Sequence, residues 1–168
     1  VFWSFAPHDI AIILRLLDEM PSELTCVGGS YISSGLADVT VSNLNFQSGR
    51  RAHIFVSWLN PFKEQKLVVV GDKKMAVFND MESKNKLVLY NNRVDLNESQ
   101  PVLKQTGYEQ VHLPEDEPLR NECEHFLECI RSRREPLTDS ASGISVLRIL
   151  ESCQTSLEQD GKLVTINP

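Results

Sequence analysis

The chain has 168 residues, 41% hydrophobic and 24% charged, which is enough for one globular domain with a sizeable core. Its net charge of -6 argues against a nucleic-acid partner, because such binding needs a basic patch to neutralise phosphates. No apolar run approaches the roughly 20 residues of a membrane-spanning helix. The cysteines Cys26, Cys123, Cys129 and Cys153 form no C-x-x-C pair, so they read as small core residues of a cytoplasmic protein.

In chain order, residues 7–19 are predicted as the first helix. Ile10, Ile13, Leu14 and Leu17 recur at helical spacing, Pro7 suits a first turn, and Asp9 places negative charge at the positive end of the dipole. Pro21 and Ser22 mark the stop. From residue 23 to about 90 the pattern turns to strands: 24–32, 37–46, 51–59, 66–70, 75–78 and 86–90, joined by short turns such as Ser33-Ser34-Gly35 and Gly71-Asp72-Lys73-Lys74. Within 37–46, Val39 and Val41 fall out of phase with Leu44 and Phe46, which predicts a bulge near Ser42-Asn43. Tight turns between successive strands imply a mainly antiparallel sheet.

Residues 91–107 are polar and weakly patterned, an irregular excursion with one short strand, and 108–113 is a further strand. The acidic connection 114–118 then opens a helix whose apolar face is Leu119, Cys123, Phe126, Leu127 and Ile130, ending at Glu135-Pro136. Arg131, Arg133 and Arg134 complement its C-terminal dipole. A last helix starts after Thr138-Asp139-Ser140, carries Ile144, Leu147, Leu150 and Leu157 on one side, and ends at Gly161; residues 162–166 form a terminal strand. No repeat or interdomain linker interrupts 1–168. The class is α+β: a mainly antiparallel open sheet with helices packed on one face, as a single domain. In the strand 51–59 both faces are partly apolar, with Phe55 and Leu59 opposite Ile54 and Val56. The second sheet face is therefore expected to be covered by another subunit or another domain.

His8 is the first candidate for chemistry. In a first helical turn the dipole disfavours imidazolium, and a neutral imidazole near pH 7 can exchange a proton. The exit of the strand 51–59 is the second: Asn60 can hydrogen-bond hydroxyls, and Lys63 can hold a carboxylate or phosphate as a point charge. No G-x-G-x-x-G or G-x-x-x-x-G-K-[ST] is present, so nothing in the chain cradles a pyrophosphate in the usual ways. His53, His112 and His125 have no partner at metal spacing and read as surface or core residues, and no metal is expected.

Three stretches together, VFWSFAPHDIAIILRLL at 1–17, SWLNPFKEQKLVVVGDKKMAVFND at 57–80 and HFLECIRSRREPLTDSASGISVLRILESCQTSL at 125–157, resemble the C-terminal domain of the Gfo/Idh/MocA oxidoreductases. The stretch 57–80 looks most like the branch that oxidises the 3-hydroxyl of UDP-N-acetylglucosaminuronate or similar UDP-sugars. The resemblance implies a two-domain enzyme. An N-terminal Rossmann domain, outside this chain, holds NAD or NADP and supplies a catalytic Lys from a Glu-Lys-Pro motif. The present domain supplies an open sheet for homo-oligomerisation and a D-x-x-x-H motif that binds the sugar or UDP-sugar. The His of that motif maps onto His8 and its Asp onto Ser4. Ser4 departs from the pattern: it cannot hold the negative charge of a carboxylate, but it can hydrogen-bond a sugar hydroxyl. The implied reaction moves hydride from a carbinol carbon to nicotinamide, and this chain by itself is expected to be inactive. The alternative is a non-catalytic regulatory or dimerisation module of the same architecture, for which Ser4 is the main support.

Overall fold

The computed structural model describes residues 1–32, 34–97, 100–114 and 116–166. Ser33, in the turn expected at 33–35, and Glu115, in the acidic connection, lie outside them. The described residues form two compact units, Val1–Asn60 with His125–Pro168, and Pro61–Glu124.

The first unit is built on α1 (Phe2–Leu17), β1 (Glu23–Gly29), β2 (Val39–Asn45), β3 (Arg51–Ser57), α3 (Ser140–Glu158) and β8 (Val164–Thr165). The sheet order is β3-β2-β1-β8, antiparallel throughout. α1 starts five residues before Pro7. Phe2, Ala6, Ile10 and Ile13 are its buried stripe, at spacings of four, four and three. Burial of Phe2 and Ala6 draws the helix past Pro7, which sits inside it and withholds a donor from the Trp3 carbonyl. At its far end Asp18 closes the helix in the left-handed region, and the Arg50 guanidinium reaches back from the β2–β3 hairpin to the Leu17 carbonyl (3.1 Å).

β2 carries no bulge. Its register runs unbroken from Val39 to Asn45 against both neighbours. The inward residues are Thr40, Ser42 and Leu44, two of them polar, while Val39 and Val41 face outward. The alternation was never broken; polar residues simply occupy core positions. Ser42 Oγ donates to Cys26 Sγ (3.3 Å), which makes this placement tolerable. Leu24, Cys26, Leu44, Ile54 and Val56 from the strands meet Phe2, Ala6, Ile10 and Ile13 of α1 and Ile149, Leu150 and Cys153 of α3 in one core. The buried side of α3 is thus Ile149, Leu150, Cys153 and Ser156; Leu150 lies on it as expected, whereas Ile144 and Leu147 are exposed. Asp139 caps the start of α3, its Oδ1 accepting from Ser142 N (2.8 Å). Gly161 ends the turn after it at φ 81°, donating to the Ser156 carbonyl.

The second unit holds the sheet β4-β5-β6-β7, formed by β4 (Lys66–Val70), β5 (Met75–Asn79), β6 (Leu87–Asn97) and β7 (Gln100–Val111). Of the irregular excursion expected at 91–107, residues 91–97 and 100–107 are instead paired strand, with a register shift between Tyr90 and Asn92, and residues 98 and 99 lie outside the described ones. Backbone pairing across the hairpin holds these polar residues extended without an apolar pattern. α2 (Pro118–Ser132) begins in this unit and ends in the first. Its expected buried face is exposed at Leu119, Cys123, Phe126, Leu127 and Ile130; Cys129 is the buried residue. Cys26, Cys129 and Cys153 are buried thiols as expected, and Cys123 is not.

Candidate functional site

Three elements of the first unit meet at Ala37-Asp38. Val1 N, at the start of α1, donates to the Ala37 carbonyl (3.1 Å). Trp58 N, at the exit of β3, donates to the Asp38 carbonyl (3.0 Å), and Asp38 N donates to the Gly29 carbonyl at the end of β1 (2.8 Å). The Asp38 carboxylate is 2% exposed and accepts from Tyr31 N (2.6 Å) and Ile32 N (2.8 Å). It therefore fixes the β1–β2 loop through charge-assisted bonds. The sequence pattern missed Asp38. Its signal was an Asp shortly after a Ser-Ser-Gly turn, a residue type that bonds loop amides.

The start of α1 so held carries Ser4 and His8 one helical turn apart on one face. Both are exposed, and no described residue donates to or accepts from Ser4 Oγ or the His8 ring. His8 lies in the second turn of α1, not the first as expected. The helix starts at Phe2, which moves its first turn, where the dipole's field is concentrated, to residues before His8. Asp9 does not orient His8 through a hydrogen bond. It is half-buried, and burial pushes its carboxyl up from the usual 3.8, with the His8 charge pulling partly back. Trp3 Nε1 anchors the start of α1 to α3 through Gln154 Oε1 (3.2 Å).

Asn60 ends the first unit, two residues past Trp58, with an exposed and unpartnered amide. Lys63 belongs to the second unit. There it is exposed, and its charge joins Lys86 in holding the Asp80 carboxyl below its usual range; the Lys86 hydrogen bond (2.8 Å) is the larger cause. The fold thus brings Ser4 and His8 together, places Asn60 in the same unit, and assigns Lys63 to the other. His125 holds the local backbone, its Nε2 accepting from Leu137 N (3.1 Å) and so closing the α2–α3 connection. His53 is exposed on the outer face of β3. The described residues hold no cluster of three or more His, Cys, Asp or Glu that could bind a metal. None of their helices is long and apolar enough to cross a membrane.

Residues 1–77 of the 168 match the model of the GFO/IDH/MocA C-terminal domain. The fold agrees over nearly the whole length. UDP-N-acetylglucosamine 3-dehydrogenase GnnA from Acidithiobacillus ferrooxidans superposes with a TM-score of 0.75 at 19% identity, covering 92% of this chain and 46% of that one. Aldose-aldose oxidoreductase from Caulobacter crescentus gives 0.70 at 18% identity, covering 95% and 45%. An oxidoreductase domain protein from Kribbella flavida gives 0.75 at 14% identity, covering 99% and 51%. The chain therefore spans about half the length of the solved structures it matches. No curated protein matches its sequence.

Proposed function

We propose that this chain is the substrate-side domain of an NAD- or NADP-dependent oxidoreductase acting in the cytoplasm on a hydroxyl of a sugar or UDP-sugar. The carrying observation is the Ser4–His8 pair, exposed and unpartnered one turn apart on a helix tied down at both Val1 and Trp3. The names of the structural neighbours, a UDP-N-acetylglucosamine 3-dehydrogenase and an aldose-aldose oxidoreductase, support a sugar substrate. The dinucleotide does not fit the residues present. α2 follows the acidic Asp116-Glu117 and α3 follows Asp139, and among the described residues no glycine-rich turn precedes α2 or α3. The nicotinamide, which accepts the hydride, is therefore assigned to protein outside these residues.

On this reading His8 exchanges the proton of the reacting hydroxyl, and Ser4 Oγ hydrogen-bonds a neighbouring hydroxyl. Asn60 binds a further hydroxyl. The outer face of the β3-β2-β1-β8 sheet forms a homo-oligomer. In a protein joining this chain to its cofactor domain, His8→Asn lowers kcat by about 10²- to 10⁴-fold, the usual worth of a positioned acid–base group, with cofactor affinity unchanged. An equal fall in cofactor affinity, or unchanged turnover, overturns the assignment. The 168-residue chain alone neither binds NAD tightly nor turns over substrate.

A further inference from the structure

We propose that Cys26 and Cys153 are a buried redox couple, which a hydroperoxide converts to an intramolecular disulfide. The proposal uses neither Ser4 nor His8 and is independent of the substrate reading above.

The two thiols come from opposite ends of the chain. Cys26 lies on the inner side of β1, and Cys153 on the buried side of α3, which packs directly on that strand. Both are fully buried, and their side chains hydrogen-bond each other. Two serines fix this meeting. Ser42, opposite Cys26 in the β1–β2 register, donates from Oγ to Cys26 Sγ (3.3 Å). Ser156, one turn after Cys153 on α3, accepts from Cys26 N (2.8 Å) and donates to the Lys162 carbonyl (2.6 Å). The helix therefore grips residue 26 twice, its backbone through Ser156 and its sulfur through Cys153. A bond between the two sulfurs can form without sliding α3 along β1.

Packing alone does not explain the composition at this spot. A core layer disfavours hydroxyls, since each must find a partner or cost stability. The buried polar side chains among the described residues are Asp38, Thr40, Ser42 and Ser156. Two of these four bond Cys26, and Thr40 is the next inward residue of β2 after Ser42. The same bonds divide the labour between the sulfurs. The hydrogen bond to Cys153, helped by that to Ser42, holds the Cys26 thiol below its ordinary pKa, whereas Cys26 and burial push Cys153 up.

Cys26 is thus the attacking thiolate and Cys153 the resolving thiol. With hydrogen peroxide, Cys26 sulfur attacks one oxygen and the O–O bond breaks. Cys26 becomes a sulfenic acid, and the departing hydroxide takes up the proton that Cys26 lost. Cys153 sulfur then attacks Cys26 sulfur, the S–O bond breaks, and this hydroxide leaves as water with the Cys153 proton. Two thiols and one peroxide give one disulfide and two waters. The short C-terminal segment provides the way in. β8 has two residues and pairs with Glu23 and Leu24, while the turn at Gly161 sits so close that a Cβ there would collide with Val27. Local opening of this edge uncovers β1 beside Cys26 and leaves the sheet folded.

Hydrogen peroxide added to the 168-residue chain carrying Cys123→Ser tests this, the substitution removing the exposed thiol. After quenching with catalase, the chain is unfolded and its free thiols are alkylated. Cys26 and Cys153 are expected to escape alkylation, and the oxidised chain to be lighter by two hydrogens. A digest without reductant should yield a peptide joining the two residues, and dithiothreitol should release it. The oxidised chain should also unfold at higher urea than the reduced one, because the link closes a long loop in the unfolded chain. Alkylation of both residues after peroxide treatment overturns the proposal. So does a cross-link to Cys129 instead, or one that forms in urea and not in buffer.

Discussion

Replacing Thr40 by Val should stabilise the first unit. Thr40 is fully buried on the inner side of β2, and its Oγ1 has no hydrogen-bond partner among the described residues. Its methyl is committed to the space beside Gly28, where a Cβ would approach within 2.9 Å of Thr40 Cγ2. The hydroxyl therefore occupies the other branch of the side chain. An unpaired buried hydroxyl costs about 1–3 kcal/mol. A methyl in its place adds about 0.8 kcal/mol of apolar burial, from which crowding subtracts up to ~1 kcal/mol in a close-packed layer. The net gain is about 1–4 kcal/mol. Both tryptophans, Trp3 and Trp58, lie in the first unit, so their fluorescence in urea reports on it directly. The midpoint should rise with an unchanged slope. Thr40→Ser, which keeps the hydroxyl and deletes the methyl, should fall below wild type. A Val variant no more stable than wild type would refute the reasoning, because it would mean that the hydroxyl is satisfied in solution, as by an internal water.

Asp139→Ala removes the cap of α3 and should cost about 1 kcal/mol in the same urea titration, with Asp139→Ser recovering most of it. Asp9 sets a pH dependence. Its folded pKa is raised, so the folded chain binds more protons than the unfolded one as pH climbs from 3.8 to that raised value, and stability falls across this window. Asp9→Asn should accordingly melt higher than wild type near pH 7, and the difference should vanish below about pH 3.8. A constant difference at all pH values would assign the effect to packing instead.

Much of the architecture was legible in the residues. The strand-rich middle, the antiparallel turns, Asp139 as a cap, Gly161 as a terminator and the partly apolar second face of β3 all follow from local pattern. These are short-range effects: turn chemistry, alternation and capping act over a few residues, so a single sequence carries them. The candidate pair Ser4 and His8 came from a resemblance, and their i, i+4 spacing on one helix face follows from helix geometry once α1 is known to run through Pro7.

What the sequence by itself determined was the α+β class and the order of its elements, because periodicity and turn residues express local free energy. Tertiary structure alone decided the rest. It turned Thr40 and Ser42 inward and Val39 and Val41 outward, because register with β1 and β3 outweighs the hydrophobicity of single residues. It extended α1 back to Phe2, because Phe2 and Ala6 complete a core stripe that begins before the proline. It made Asp38 the point at which α1, the β1–β2 loop and the β3 exit converge, through bonds between residues far apart in the chain. Such contacts are sums over distant partners. No window of neighbouring residues contains them.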